Sequence, residues 1–148
     1  MNSHKNDLFL KTIQLYCDGA SKGNPGPAGA GAVAYIDDQP IFEISKGLGI
    51  NTNNFAEYSA LLFGLEEVLK HITNPEFYFL EIFLDSELVV KQLLGEYKIK
   101  SSNLKEIHEK VKALLSLFPQ HRIVHIPREK NKIADRLASQ QIEKNHKT

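Results

Sequence analysis

Thr12-Ile13-Gln14-Leu15-Tyr16-Cys17-Asp18, followed directly by Gly19-Ala20-Ser21-Lys22-Gly23-Asn24-Pro25-Gly26-Pro27, is the stretch whose reading decides the architecture. Ile13, Leu15 and Cys17 alternate with other residues, the period-two pattern of a strand with one buried face. The glycines and prolines beyond Asp18 form a dense cluster of loop residues. An acid thus stands where a strand gives way to a loop. Outward from this point, residues 31–36 read as a second strand, Asp37-Asp38-Gln39-Pro40 as a turn, and residues 41–47 as a third strand. Three strands with short connections favour an antiparallel meander.

The chain then changes period. Asn51-Thr52-Asn53-Asn54 supplies helix-cap candidates, and Leu61, Leu65, Val68, Leu69 and Ile72 follow helical spacing through residues 55–72. Residues 80–84 form a short apolar strand ending at Asp85, and Ser86 caps a helix that stops near Gly95. Residues 104–117 read as an amphipathic helix stopped by Pro119, residues 122–126 as a fifth strand, and residues 132–143 as a last helix. Three strands followed by alternating strands and helices predict an α/β fold, a mixed sheet with helices on its faces. The strand–helix–strand passages require right-handed crossovers and parallel pairing.

The 148 residues suit one domain. We place it at 12–142, between flexible ends at 1–11 and 143–148. A single cysteine, Cys17, excludes an internal disulfide framework and a multi-cysteine zinc site. It fits a reducing compartment, and we expect a cytoplasmic monomer. The apolar run Leu8-Phe9-Leu10 is too short for a signal peptide, and no stretch is long and apolar enough to span a membrane. Formal net charge is zero, yet residues 1–90 hold 5 basic and 12 acidic side chains while residues 91–148 hold 13 and 6. That asymmetry suits either two differently charged solvated faces or an acidic cation site beside a basic surface.

Four acids fall at the ends of elements. Asp18 closes the first strand, Glu57 opens the first helix, Asp85 closes the fourth strand and Asp135 opens the last helix. Neighbouring strands lie about 4.8 Å apart. Parallel pairing of the first and fourth strands therefore sets Asp18 beside Asp85 at the carboxyl edge, where open α/β sheets carry their sites. Clustered carboxylates repel and raise one another's pKa values. A divalent cation removes the conflict, and oxygen donors without His or Cys suit Mg²⁺ or Mn²⁺. Two such ions about 4 Å apart serve phosphodiester hydrolysis. Each acid taken alone also suits capping or a solvated surface.

At these residues a resemblance enters. The block Tyr16-Cys17-Asp18-Gly19-Ala20-Ser21-Lys22-Gly23-Asn24-Pro25-Gly26-Pro27-Ala28-Gly29 resembles the first-strand signature of ribonuclease H type 1. Thr52-Asn53-Asn54-Phe55-Ala56-Glu57-Tyr58-Ser59-Ala60-Leu61, Phe83-Leu84-Asp85-Ser86 and Asn131-Lys132-Ile133-Ala134-Asp135-Arg136-Leu137-Ala138 resemble the segments around its other acids, in family order. The resemblance implies the RNase H-like fold, a five-stranded sheet of order 3-2-1-4-5. It implies that Asp18, Glu57, Asp85 and Asp135 ligate two Mg²⁺ ions, which Mn²⁺ can replace. It further implies hydrolysis of the RNA strand of an RNA–DNA hybrid, leaving 5′-phosphate and 3′-hydroxyl ends. Gly19, Gly23, Asn24, Thr52 and Asn53 are the implied substrate contacts. Glycine admits close approach, asparagine can both donate and accept, and the 2′-hydroxyl marks RNA.

Two departures stand out. Well-studied bacterial relatives place a histidine in a longer loop before the last acid, but here residues 127–131 form a short loop without one. His125 lies upstream, where a structural role is expected. Arg128 is the candidate for the histidine's place; it stays charged, so it positions phosphate and shuttles no proton. Those relatives also carry a basic, tryptophan-containing protrusion. Here residues 95–103 join two helices without Trp, and Lys91, Lys98, Lys100 and Lys105 supply what positive charge there is. We expect no separate hybrid-binding domain before residue 12. Glu87 adds an acid that repels substrate unless it points away. A nuclease of this fold acting on another nucleic acid, and a non-catalytic nucleic-acid-binding module, are the alternative readings.

Overall fold

A computed structural model describes residues 10–146 of the chain, with side chains described up to residue 142. Strand β1, Lys11–Ser21, pairs antiparallel with β2, Gly26–Ile36, which pairs antiparallel with β3, Gln39–Asn51. On its other side β1 pairs in parallel with β4, Tyr78–Leu84, which pairs in parallel with β5, His121–His125. The sheet order is β3-β2-β1-β4-β5, the expected RNase H-like order. Helix α1 is Asn53–His71, α2 Glu87–Leu93, α3 Ser102–Leu115 and α4 Lys132–His146. The expected ends of the domain are exceeded at both sides, by β1 from Lys11 and by α4 to His146. Most of the expected flexible N-terminus lies outside the described residues.

The two faces of the sheet are unlike. Ile13, Leu15 and Cys17 of β1, with Leu80, Ile82 and Leu84 of β4, face a core closed by Tyr58, Leu61, Leu65 and Val68 of α1. Val89, Val90 and Leu93 of α2 and Ile107, Val111 and Leu115 of α3 complete it. Helix α4 covers the opposite face. The meander turns at Asp37-Asp38, both with positive φ (47° and 69°), the two-residue turn whose twist suits a hairpin.

Strand ends differ from the sequence reading. Residues 19–21 and 26–30, read as loop or left unassigned, belong to β1 and β2, where Asp18 pairs with Gly31 and Ser21 with Ala28. Asp18 therefore lies inside β1 and does not close it. The cause is packing. Helices press on β2 from both sides, and a side chain at Gly31 would meet the Ala134 carbonyl oxygen at 2.4 Å. Small residues, poor strand formers by propensity, are what the two-sided contact admits.

Candidate metal centre

The parallel ladder between β1 and β4 ends at the pair Tyr16↔Phe83. Asp18 and Asp85 each stand two residues beyond it, on the face covered by α4. The sheet register thus sets them side by side, as expected from the strand reading. Glu57 arrives from the other face. Helix α1 starts at Asn53, with the Thr52 hydroxyl accepting the Phe55 N–H at 3.2 Å. Glu57 consequently lies in the second turn and does not open the helix. At Gly19 a Cβ would sit 2.2 Å from the Ala56 carbonyl carbon and 2.3 Å from the Glu57 nitrogen. The missing side chain is what lets α1 reach the sheet edge and deliver Glu57. Asp135, in the first turn of α4, is brought toward Asp18 by the close passage of α4 over Gly31.

Carboxylate oxygens of Asp18, Glu57 and Asp85 lie within 4.8 Å of one another. Asp135 stands outside that triangle but close enough to Asp18 to help raise its pKa. Asp18 is buried, and its carboxyl is held far above the usual range, first by burial and then by the charge of Asp85, with Asp135 and Glu57 adding to it. Burial pushes Glu57 up to about 7; the Ser86 side chain works against that rise and Asp85 adds to it. Among the described residues no Lys, Arg or His nitrogen pairs with Asp18, Glu57 or Asp85. Arg128 Nη2 lies 3.7 Å from Asp135 Oδ1, with its side chain 79% exposed. A cluster of oxygen donors left without a countercharge fits a hard divalent cation.

Residues 16–141 match the family model described as reverse transcriptase-like. Ribonuclease HI of Halobacterium salinarum is 39% identical over 88% of this chain and 64% of its own length. The crystal structure of RNase H1 from that halophilic archaeon superposes with a TM-score of 0.83 at 36% identity, covering 90% of this chain and 98% of the other.

The chain belongs to the type 1 ribonuclease H family.

A second structural relative of the family, LC11-RNase H1 in complex with an RNA/DNA hybrid, has a TM-score of 0.82 at 39% identity and covers 90% of this chain and 98% of that one. A bifunctional protein of Mycobacterium tuberculosis is 37% identical over 86% of this chain but only 34% of its own length. The chain thus spans about a third of the first curated relatives that it matches.

The remaining family-implied residues occupy distinct places. The side-chain oxygen of exposed Asn24 accepts the Asn53 N–H at 3.1 Å, tying the loop after β1 to the start of α1. Thr52 is the α1 cap. Gly19 already has a packing reason to be glycine. His125 is exposed, and its Nε2 stands 3.3 Å from the Asp85 carbonyl oxygen, at the rim of the acidic group. Glu87 is paired with Lys91 at 3.3 Å. The connection from α2 to α3 is short, and Tyr97 is its exposed aromatic, with Lys91 Nζ 5.0 Å from the ring centre. Asn131, quoted above only as part of a motif, is buried against Asp85 and was missed as a site residue. Asparagine before a helix reads as a cap, so no separate signal marked it.

Proposed function

We propose that this chain is an Mg²⁺-dependent endoribonuclease that cuts the RNA strand of RNA–DNA hybrids and leaves 5′-phosphate and 3′-hydroxyl ends. The observation that carries the reading is the triangle of Asp18, Glu57 and Asp85, without a basic partner among the described residues. The hybrid-bound structure of LC11-RNase H1 supports the substrate class.

Asp18, Glu57, Asp85 and Asp135 are the residues that would hold two Mg²⁺ ions, or Mn²⁺ in their place. The chemistry supplied by two bound ions is activation of water as the nucleophile and stabilisation of the leaving oxygen. The chain's own contribution is placement. Register fixes Asp18 against Asp85, Gly19 admits the helix that carries Glu57, and Gly31 admits the helix that carries Asp135. Arg128 holds a permanent charge at the rim and orients a phosphate there without exchanging a proton. Asn24, Asn53, Thr52 and the backbone at Gly19 line the approach on the α1 side, where Asn24 offers an N–H to a 2′-hydroxyl. Lys98, Lys100 and Lys105 add phosphate attraction that falls as salt rises. The protein acts as a monomer, and its lone buried Cys17 suits the cytoplasm.

A panel of labelled substrates tests the reading: hybrid, double-stranded RNA, single-stranded RNA and branched DNA, each with Mg²⁺ or Mn²⁺. Cleavage confined to the RNA of the hybrid is expected. Preference for branched DNA, or metal-independent binding without cleavage, would overturn it.

A further inference from the structure

Asn131 lies between the last 3₁₀ turn, Arg128–Lys130, and α4, and is only 1% exposed. Its Nδ2 donates to the Cys17 carbonyl oxygen at 2.9 Å and to Asp85 Oδ2 at 2.8 Å. Among the described residues this is the one side-chain hydrogen bond to the Asp85 carboxylate. The backbone carbonyl of Asn131 accepts the Asp135 N–H at 3.0 Å. One residue therefore touches β1 beside Asp18, grips Asp85 and starts the helical turn that carries Asp135.

The chemistry of the contact is selective. A carbonyl and a carboxylate only accept, so both amide hydrogens are committed and the amide has one possible orientation. Its Oδ1 is left buried without a partner. A neutral donor also differs from Lys or Arg at this place. It restrains Asp85 but leaves its negative charge uncancelled.

We propose that Asn131 is a positioning residue of the acidic centre, clamping Asp85 to β1 so that the Asp18–Asp85 pair presents a fixed donor set to a divalent cation. The proposal rests on the metal-centre reading above. Outer partners of ligating groups typically change metal affinity by about 10–100-fold when removed.

The test compares the intact wild type, Asn131→Ala and Arg122→Ala. The last is a destabilised control whose lesion lies away from the centre. Mn²⁺ and Mg²⁺ binding are measured by calorimetry without nucleic acid, well below each melting temperature, alongside kcat and KM on hybrid. Asn131→Ala is expected to weaken metal binding at least about tenfold and to lower kcat with KM for hybrid little changed. Arg122→Ala is expected to keep wild-type metal affinity. Should Asn131→Ala fail to fold, nuclear magnetic resonance of the wild type decides. The Asn131 side-chain amide signals are expected to exchange slowly and to shift with added Mg²⁺ along the calorimetric binding curve. A folded Asn131→Ala with wild-type metal affinity, or amide signals unmoved at saturating Mg²⁺, would overturn the positioning role. A wild type that binds neither metal at millimolar concentration overturns the metal-centre reading itself, and the clamp with it.

Discussion

Two carboxylates on one face of the sheet have opposite fates. Glu81 in β4 is 8% exposed and Asp18 in β1 is 7% exposed, so burial alone does not separate them. Glu81 receives Arg122 Nε at 2.8 Å from the neighbouring β5, with Gln14 Nε2 at 3.5 Å from β1. Among the described residues Asp18 receives no base, and it faces three further acids. A buried charge is tolerated when paired, and the chain supplies that pair at Glu81. At Asp18 it withholds one. The difference teaches that acid burial marks a site here only where the countercharge must come from outside.

The largest expected effect is at Asp18. Asp18→Asn removes a proposed ligand and should cut hybrid cleavage by more than the roughly 100-fold that changes outside the ligand set produce. It also relieves repulsion, so the metal-free melting temperature should rise. Were Asp18 a structural acid like Glu81, the signs would reverse, with activity kept and stability lost.

Arg122→Ala attacks the other half of the contrast. It strands Glu81 in a buried position, and denaturant unfolding should report a loss of about 1–3 kcal/mol. Cleavage at temperatures below the transition should stay at the wild-type level. Loss of activity in the folded variant would erase the distinction between the two acids.

Arg128→Ala tests the one guanidinium beside an acid of the centre among the described residues. Loss of a single hydrogen bond to a charged group corresponds to about a tenfold fall in kcat, with the shape of the pH profile retained because guanidinium does not titrate. An altered pH profile would show that Arg128 does more than orient phosphate.

Acidity supplies a smaller effect. Glu57 is pushed up to about 7 in the folded chain from the usual 4.5. Between those values the folded state binds more protons than the unfolded one. Stability without metal is therefore fully present below pH 4.5 on account of this group, and falls as pH rises toward 7 and above. Its partial exposure limits the change to the order of 1 kcal/mol. Thermal unfolding across pH 5–8 should show that decline, and Mg²⁺ should oppose it by binding the deprotonated centre.

The sequence made some of this legible and hid the rest for identifiable reasons. Alternation in β1 and the parallel pairing expected of the first and fourth strands were enough to set Asp18 beside Asp85, because a parallel ladder transmits register over its whole length. The early part of β2 was hidden. Gly26, Gly29 and Gly31 look like loop residues, but the backbone of Lys22 leaves no room for a side chain at Gly26, and the close passage of α4 leaves none at Gly29 and Gly31. Glu57 was found but placed a turn early, since Asn53 and Asn54 read as caps although they are helical. The Glu81–Arg122 pair joins residues far apart in sequence, and no local pattern announces it. Asn131 was hidden by doing two jobs, a helix start and a buried clamp, of which only the first has a sequence signature.

The central claim is that the uncompensated acids form a metal-dependent nuclease centre. It is tested most directly by following an RNA-labelled hybrid with the intact chain, first in chelator, then after adding Mg²⁺, with Asp18→Asn in parallel. The account predicts no cleavage in chelator, cleavage to 5′-phosphate ends on adding Mg²⁺, and none from Asp18→Asn under either condition. Cleavage in chelator, or Mg²⁺-dependent cleavage by Asp18→Asn at the wild-type rate, would contradict it.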